Sequence, residues 1–170
     1  FLDLIYNEVK TGKYDFILHL GDIAYDLHSV FGIIGDIYLS QMEKITSTIP
    51  YMTICGNHEA FKNFTNYKNR FSMPGNNLFY SLNYPPLKII NLNSEIYYYK
   101  SLKNTIQNQN NFLNKEIINI NRTLYPWVLV TGHRPMYCSN LNTNDCVNWK
   151  RDSLRNGLEK NLFDSNTTIY

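Results

Sequence analysis

The sequence predicts an α/β fold, because short apolar runs alternate with longer amphipathic segments along the chain. Three runs are typical of strands buried on both faces: "YDFILHL" from residue 14, "YMTIC" from 51 and "WVLVTGH" from 127. A segment of helical periodicity separates the first two runs, which suits a right-handed crossover between parallel strands. The 170 residues are about enough for one domain with its own core.

The first half of the chain is predicted to begin with a helix and to hold a second helix between two strands. The first helix ends at Gly12, in the manner of a C-cap, and carries an apolar stripe of Leu2, Leu4, Ile5 and Val9. Residues 33–48 are predicted to form the amphipathic crossover helix, after which "YMTIC" returns to the sheet.

The second half is predicted to begin with a polar, aromatic loop at residues 60–77. Two strands, "LFYSLNY" and "LKIINLN", follow and are joined at Pro85-Pro86 as a hairpin. A long polar helix is expected at residues 102–121 and a last helix at 149–163, on either side of the strand "WVLVTGH". Neither an internal repeat nor a linker is visible, so residues 1–170 are predicted to be a single α/β unit.

The composition and net charge of the chain bear on whether it would bind nucleic acid or a membrane. Hydrophobic residues make up 44% and charged residues 18%, which is typical of a globular chain, and the net charge is only +2. So small a charge does not favour nucleic acid or an anionic membrane surface, and the apolar runs are shorter than the ~20 residues of a membrane span. Cys55 ends an apolar strand and is expected to be a buried thiol, whereas Cys138 and Cys146 either close a small disulfide or stay unpaired.

Three of the predicted strands end in the same way, with a glycine followed by a polar residue: Gly21-Asp22, Gly56-Asn57 and Gly132-His133. Each residue alone has a plain structural explanation, such as a turn or a cap. Because ligands of open α/β sheets bind beyond the carboxyl ends of the strands, parallel neighbours would bring the three polar side chains together. The pattern therefore predicts a metal site.

Tyr25 and His58 extend this predicted site. A phenol keeps its proton to about pH 10, so Tyr25, close after Asp22, requires a strongly acidic metal such as ferric iron to act as a ligand. His58, next to Asn57, is expected to face a bound phosphate and to hydrogen-bond an oxygen or protonate the leaving group. Glu59 is expected to be structural, or to orient His58, and Arg134 either contacts phosphate or pairs locally.

Three blocks, "GDIAY", "GNHE" and "VTGHRPMY", together resemble the purple acid phosphatases of the calcineurin-like metallophosphoesterase superfamily. Tyr25 is the distinguishing residue, since the related Ser/Thr phosphatases have GDxxDR at that point. The resemblance covers essentially the whole chain. It implies part of a β-sandwich flanked by helices, in α/β/β/α layers, that is truncated at both ends.

The resemblance also implies roles for individual residues. Asp22 would be the bridging carboxylate and Tyr25 the ferric ligand, Asn57 and His133 would hold the divalent metal, and His58 would be the catalytic histidine on the substrate side. The cofactors would be Fe(III) and a divalent ion, either Zn, Fe or Mn. The reaction would be hydrolysis of small phosphate monoesters at acidic pH by a metal-bound hydroxide, in a secreted or a lysosomal or vacuolar enzyme.

The chain departs from the family pattern at both ends. The family's first Asp block would lie before residue 1 and its GHxH block after residue 170, so four of the usual seven ligands are present. We therefore expect an internal fragment that is inactive alone. Two alternatives stay open, namely another metallophosphoesterase (a phosphodiesterase or nucleotidase) and an inactive, metal-free relic that acts as a binding module; the oligomeric state is also open.

Overall fold

The computed structural model describes residues 1–141 and 149–170, which fall into two units, Phe1–Met73 and Pro74–Tyr170. Helices alternate with strands in both units, and the sheet of the second unit is mixed. The predicted α/β fold class is therefore confirmed. That residues 1–170 form a single domain stays a prediction.

The first unit contains three helices and two strands: α1 (Leu2–Val9), β1 (Ile17–His19), α2 (Ile33–Thr46), β2 (Tyr51–Thr53) and α3 (Phe61–Arg70). β1 and β2 are parallel, with Ile17 opposite Tyr51 and His19 opposite Thr53, as the strand–helix–strand order predicted. The apolar faces of α1 and α2 meet in a buried cluster of Val9, Met42, Ile45 and Ile49. This packing fixes α2 beside the strand pair, so that both strands end at the same edge.

The two strands are shorter than the apolar runs that predicted them. Each strand has three residues. β1 is short because the chain leaves it at Leu20 and turns at Gly21, whose φ is 88°. Only glycine adopts such a φ readily, so the turn is set by this residue. An apolar run in the sequence indicates that a segment is buried, but it does not indicate the residue at which the two paired strands separate.

The predicted loop at residues 60–77 contains a helix, α3, and the prediction was wrong there. Its sequence, FKNFTNYKNR, is mainly polar, and an irregular first turn has positive φ at three residues: Lys62, Asn63 and Phe64. Two aromatic side chains, Phe64 and Tyr67, are buried, and the Tyr67 hydroxyl donates to the Thr53 carbonyl at 3.0 Å. Tertiary contacts of these two residues stabilise a helix that the sequence pattern does not indicate.

The second unit has a three-stranded sheet in the order β3-β4-β5, comprising β3 (Tyr80–Tyr84), β4 (Leu87–Asn91) and β5 (Trp127–Thr131). β3 and β4 form the predicted antiparallel hairpin around a cis Pro85-Pro86 bond, and β5 runs parallel to β4. Ile169 lies along the other edge of β5, where its carbonyl accepts from the Val130 N–H at 2.9 Å.

Two helices, α4 (Lys103–Ile118) and α5 (Trp149–Asp164), pack in this unit near the positions predicted for them. On α5, Leu154, Leu158 and Leu162 are buried at helical intervals, and on α4 the buried apolar residue is Leu113. α4 also meets the sheet through an ion pair, because Glu116 Oε2 lies 2.6 Å from Nζ of Lys88 on β4. Lys88 is 7% exposed, so this charge is held inside the unit.

The cysteine and membrane predictions have separate outcomes. Cys55 is fully buried, as expected. Cys146 lies outside the described residues, so the bridge with Cys138 stays a prediction. In the parts of the chain that the structure describes, no helix is long and apolar enough to cross a membrane.

Candidate metal centre

The loop after β1 carries the first two predicted ligands on an unusual backbone. Four residues have positive φ: Asp22 (56°), Ala24 (57°), Tyr25 (42°) and Asp26 (86°). The left-handed region costs a non-glycine residue about 1–2 kcal/mol, so contacts from elsewhere must hold this loop. The Asp22 side chain is only 14% exposed, whereas Tyr25 is 67% exposed.

The loop after β2 meets the loop after β1. Residues Asn57–Glu59 form a short 3-10 helix directly after Gly56. The His58 backbone N–H donates to Asp22 Oδ1 at 3.2 Å, so the GNHE stretch contacts the first predicted ligand. The structure thus brings Asp22, Tyr25, Asn57 and His58 to one edge of the parallel strand pair.

His58 is oriented by Asp26, a residue that no sequence motif indicates. Asp26 Oδ1 lies 2.9 Å from His58 Nδ1, which leaves Nε2 on the other side of the ring. That Nε2 is 4.0 Å from Asp22 Oδ2. The Tyr25 ring packs against the imidazole, with centroids 4.5 Å apart. A carboxylate at Nδ1 favours the tautomer that carries the proton there.

Glu59 has the structural role, the first of the two that were expected for it, and the hydrogen bonds of its carboxylate do not involve the His58 ring. Its carboxylate accepts three backbone N–H groups, those of Asp22, Ile23 and Gly56, each at 2.8 Å. Burial raises the pKa of Glu59 above its ordinary value, although these three hydrogen bonds act in the opposite direction. Glu59 therefore supports the backbone of both loops, which was the structural alternative.

His133 belongs to the second unit, where it follows β5. Ser94 Oγ accepts the backbone N–H of His133 at 3.0 Å and that of Arg134 at 2.9 Å. The parallel pairing of β4 and β5 explains why the 132–135 turn adjoins the residues that follow β4. That His133 converges with Asp22 and Asn57 stays a prediction, since these residues lie in different units.

Arg134 pairs locally, which was one of its two expected roles. Its Nε donates to Glu95 Oε1 at 2.7 Å and a second nitrogen to Oε2 at 3.2 Å, so the contact is bidentate. The Glu95 side chain is 1% exposed, and the guanidinium also lies 4.8 Å from the centroid of the Tyr98 ring.

The donor types of the first unit fit a hard or borderline cation. Asp22, Asn57 and Tyr25 offer a carboxylate, an amide and a phenol on two adjoining loops, and such cations bind oxygen donors. Among residues 1–141 and 149–170, however, no group of three or more His, Cys, Asp or Glu side chains is placed to hold a metal ion. Only Asp22 and His133 of the predicted ligands are of those types, and each belongs to its own unit.

Comparison with known proteins gives a consistent family. Residues 1–164 match the family model described as calcineurin-like phosphoesterase. Human acid phosphatase type 7 is 39% identical over 168 residues, which are 96% of this chain but 38% of that protein. Purple acid phosphatase 15 of Arabidopsis thaliana is 30% identical, over 81% of this chain and 32% of its own length. The chain thus spans about a third of the length of these relatives.

Solved structures agree with the fold. A purple acid phosphatase from yellow lupin seeds superposes with a TM-score of 0.65 at 24% identity, over 81% of this chain and 26% of that one. GAP50, described as the anchor in the inner membrane complex of Plasmodium, gives a TM-score of 0.65 at 14% identity, over 99% of this chain and 58% of that one. The family match over nearly the whole sequence and the shared fold lead to one conclusion: this chain belongs to the calcineurin-like phosphoesterases and is homologous to the purple acid phosphatases.

Proposed function

We propose that this chain is part of an acid phosphatase that hydrolyses phosphate monoesters at a binuclear centre of Fe(III) and a divalent metal, Zn, Fe or Mn. The observation that carries the proposal is the meeting of the two loops in the first unit, where the His58 N–H donates to Asp22 Oδ1 at 3.2 Å. This contact puts a carboxylate, an amide and an imidazole at one edge of the sheet. The homology to acid phosphatases supports the reaction class.

In this proposal Asp22, Tyr25, Asn57 and His133 would hold the metals, with Tyr25 on iron, Asn57 and His133 on the divalent ion, and Asp22 as a ligand common to both. When bound, the two metals clamp a phosphate ester and acidify water so that it can attack. Tyr25 is the most exposed of these side chains, at 67%, and its ring rests on His58. As a ligand it would act through its hydroxyl, which leaves the ring beside the imidazole.

His58 moves the proton in this proposal. With Nδ1 bonded to Asp26 Oδ1 at 2.9 Å, the ring is held so that a proton on Nε2 faces away from Asp26. Donation of that proton to the leaving-group oxygen releases the alcohol, and the imidazole that remains keeps its Nδ1 contact with Asp26. Positioned general acids of this kind contribute about 10²–10⁴-fold to a rate.

The test uses the full-length gene product and a chromogenic phosphate monoester at acidic pH. We expect His58→Asn to lower kcat by about 10²–10⁴-fold with both metals retained, and Asn57→Ala to lose divalent metal by elemental analysis. His28→Asn is the matched control, because the His28 ring stacks on Phe61 at 3.9 Å in the same unit without a proposed role in the reaction.

Two results would contradict the proposal. Near-normal turnover of Asn57→Ala with two metals still bound would remove Asn57 as a ligand. Faster hydrolysis of a chromogenic phosphodiester than of the monoester by the wild type would favour the phosphodiesterase alternative.

A further inference from the structure

Glu59 places one buried carboxylate behind both loops of the candidate centre. Oε2 accepts the N–H of Asp22 and that of Gly56, and Oε1 accepts the N–H of Ile23, all at 2.8 Å. The residue is 2% exposed. Three N–H donors from two separate loops therefore converge on a single side chain that solvent scarcely reaches.

The backbone that Glu59 holds has dihedral angles that its residues do not favour by themselves. Gly21 and Asp22 have φ of 88° and 56°, and an aspartate in this region is disfavoured unless the surroundings fix it. Two of the three donors, Asp22 and Ile23, lie in this strained turn. The third, Gly56, immediately precedes Asn57.

We propose that Glu59 is a positioning residue for metal retention: by holding the backbone N–H groups of Asp22 and of Gly56, which precedes Asn57, it sets the separation of the two ligands; this rests on the proposed function. Its hydrogen bonds use backbone N–H groups alone, so Glu59 itself occupies no side-chain oxygen of either ligand. The tie from the His58 N–H, in contrast, uses Asp22 Oδ1 itself. Glu59 is thus the contact that can hold the ligands without competing for them.

Glutamine cannot reproduce this arrangement. Its amide has one oxygen, and its NH₂ group would face an N–H donor where Glu59 now offers a second oxygen. In Glu59→Gln at least one loop N–H loses its acceptor and faces the NH₂ group inside the unit, which weakens the link between the two loops. Changing a residue that supports a metal ligand typically reduces metal affinity by about 10–100-fold, which is the increase in the Zn²⁺ Kd that we expect.

The experiment measures Zn²⁺ affinity in the full-length protein, by competition with a chromophoric chelator, for the wild type, Glu59→Gln and Glu116→Gln. Glu116→Gln is the matched control, because it makes the same chemical change in a carboxylate that pairs with Lys88 in the second unit. We expect its Zn²⁺ Kd to stay within about twofold of the wild type, and saturating Zn²⁺ to restore most of the kcat of Glu59→Gln.

Equal Zn²⁺ affinity of Glu59→Gln and the wild type would overturn the proposal, as would an equal loss of affinity in Glu116→Gln. If Glu59→Gln lacks the circular dichroism of a folded chain, Glu59→Asp replaces it, since the shorter carboxylate reaches fewer of the three donors and must also weaken Zn²⁺ binding. Failure of both variants to fold would overturn it as well, because Glu59 would then support the whole unit. Unchanged Zn²⁺ affinity in Asn57→Ala would instead refute the ligand assignment of the proposed function.

Discussion

The ion pair between Lys88 on β4 and Glu116 on α4 makes the stability of the second unit depend on one charge. Lys88 Nζ contacts Glu116 Oε2 at 2.6 Å, Asn83 Oδ1 at 2.7 Å and Ser81 Oγ at 3.2 Å. Glu116→Gln keeps an oxygen acceptor of similar reach but removes the negative charge. Lys88 is 7% exposed, so in this variant it remains a buried cation. The three side chains that contact its Nζ, at positions 81, 83 and 116, are then all neutral.

The expected loss of unfolding free energy follows from this burial. Removing one partner of a fully buried pair costs about 3–5 kcal/mol. The Glu116 side chain is 21% exposed, so water screens part of the interaction, and glutamine keeps one hydrogen bond. We therefore expect about 1–2 kcal/mol.

The loss should also depend on pH. Burial alone would raise the pKa of Glu116, but hydrogen bonds with Lys88 and Ser81 outweigh it and hold the pKa below its ordinary value. A carboxyl whose folded pKa is depressed stabilises the fold above its unfolded pKa, and this stabilisation is lost as pH falls through the folded value. The difference between wild type and Glu116→Gln should be constant near neutral pH and shrink below about pH 4.5.

Urea unfolding followed by tryptophan fluorescence is a direct assay. Trp127 and Trp149 are the only two tryptophans of the chain, and both lie in the second unit. Asp164→Asn is the control, because its partner Lys160 is 82% exposed in the side chain and such surface pairs contribute about 0–1 kcal/mol. The reasoning is refuted if Glu116→Gln unfolds at the same urea concentration as Asp164→Asn, or if its deficit is as large in acid as at pH 7.

Two further predictions concern tyrosines. Tyr25→Phe in the full-length, iron-loaded protein should abolish the visible charge-transfer band, since only a phenolate ligand gives that transition. The control Tyr14→Phe, which changes an exposed phenol, should keep the band. An unchanged spectrum of Tyr25→Phe would show that Tyr25 is only packed. Burial raises the pKa of Tyr97 to about 12. The unfolded phenol ionises near pH 10, so the stabilisation from this protonated group is complete below that pH and is lost as pH rises to about 12, a total of about 2–3 kcal/mol. Tyr97→Phe should therefore show a shallower alkaline decline in unfolding free energy, and a decline as steep as that of the wild type would contradict the assignment.

Local pattern predicted the helices and the hairpin well, for a physical reason. Apart from Leu4, which is 68% exposed, the stripe of α1 and the periodicity of α2 reflect packing of one helix face, which is visible in the sequence itself. Helix α3 was missed because Phe64 and Tyr67 are the only buried residues of a polar segment, and their partners lie elsewhere in the chain. The three-residue length of β1 and β2 likewise depends on where two strands diverge.

The candidate site was predictable in its residue types and less so in its contacts. Glycine followed by a polar residue marks the strand ends, and the parallel pairing of β1 and β2 then joins Asp22 to the GNHE stretch. No sequence signal showed that Asp26 would face His58, which is 32 residues away and reached only through the left-handed turn. The same holds for Glu59, whose neighbour His58 was the obvious partner in sequence, although its actual partners are backbone N–H groups.

The bidentate pairing of Arg134 with Glu95 has a consequence for the binding of inorganic phosphate, the product of the proposed reaction. A guanidinium that turned toward an incoming dianion would have to break both of its hydrogen bonds to a carboxylate that is 1% exposed. In the proposed phosphatase Arg134 therefore does not serve as an anion clamp, and attraction for the anion falls on the metals and His58. Inhibition by inorganic phosphate should then rise and fall with metal occupancy, and an Arg134→Lys protein should be inhibited by phosphate to the same degree as the wild type at equal metal content.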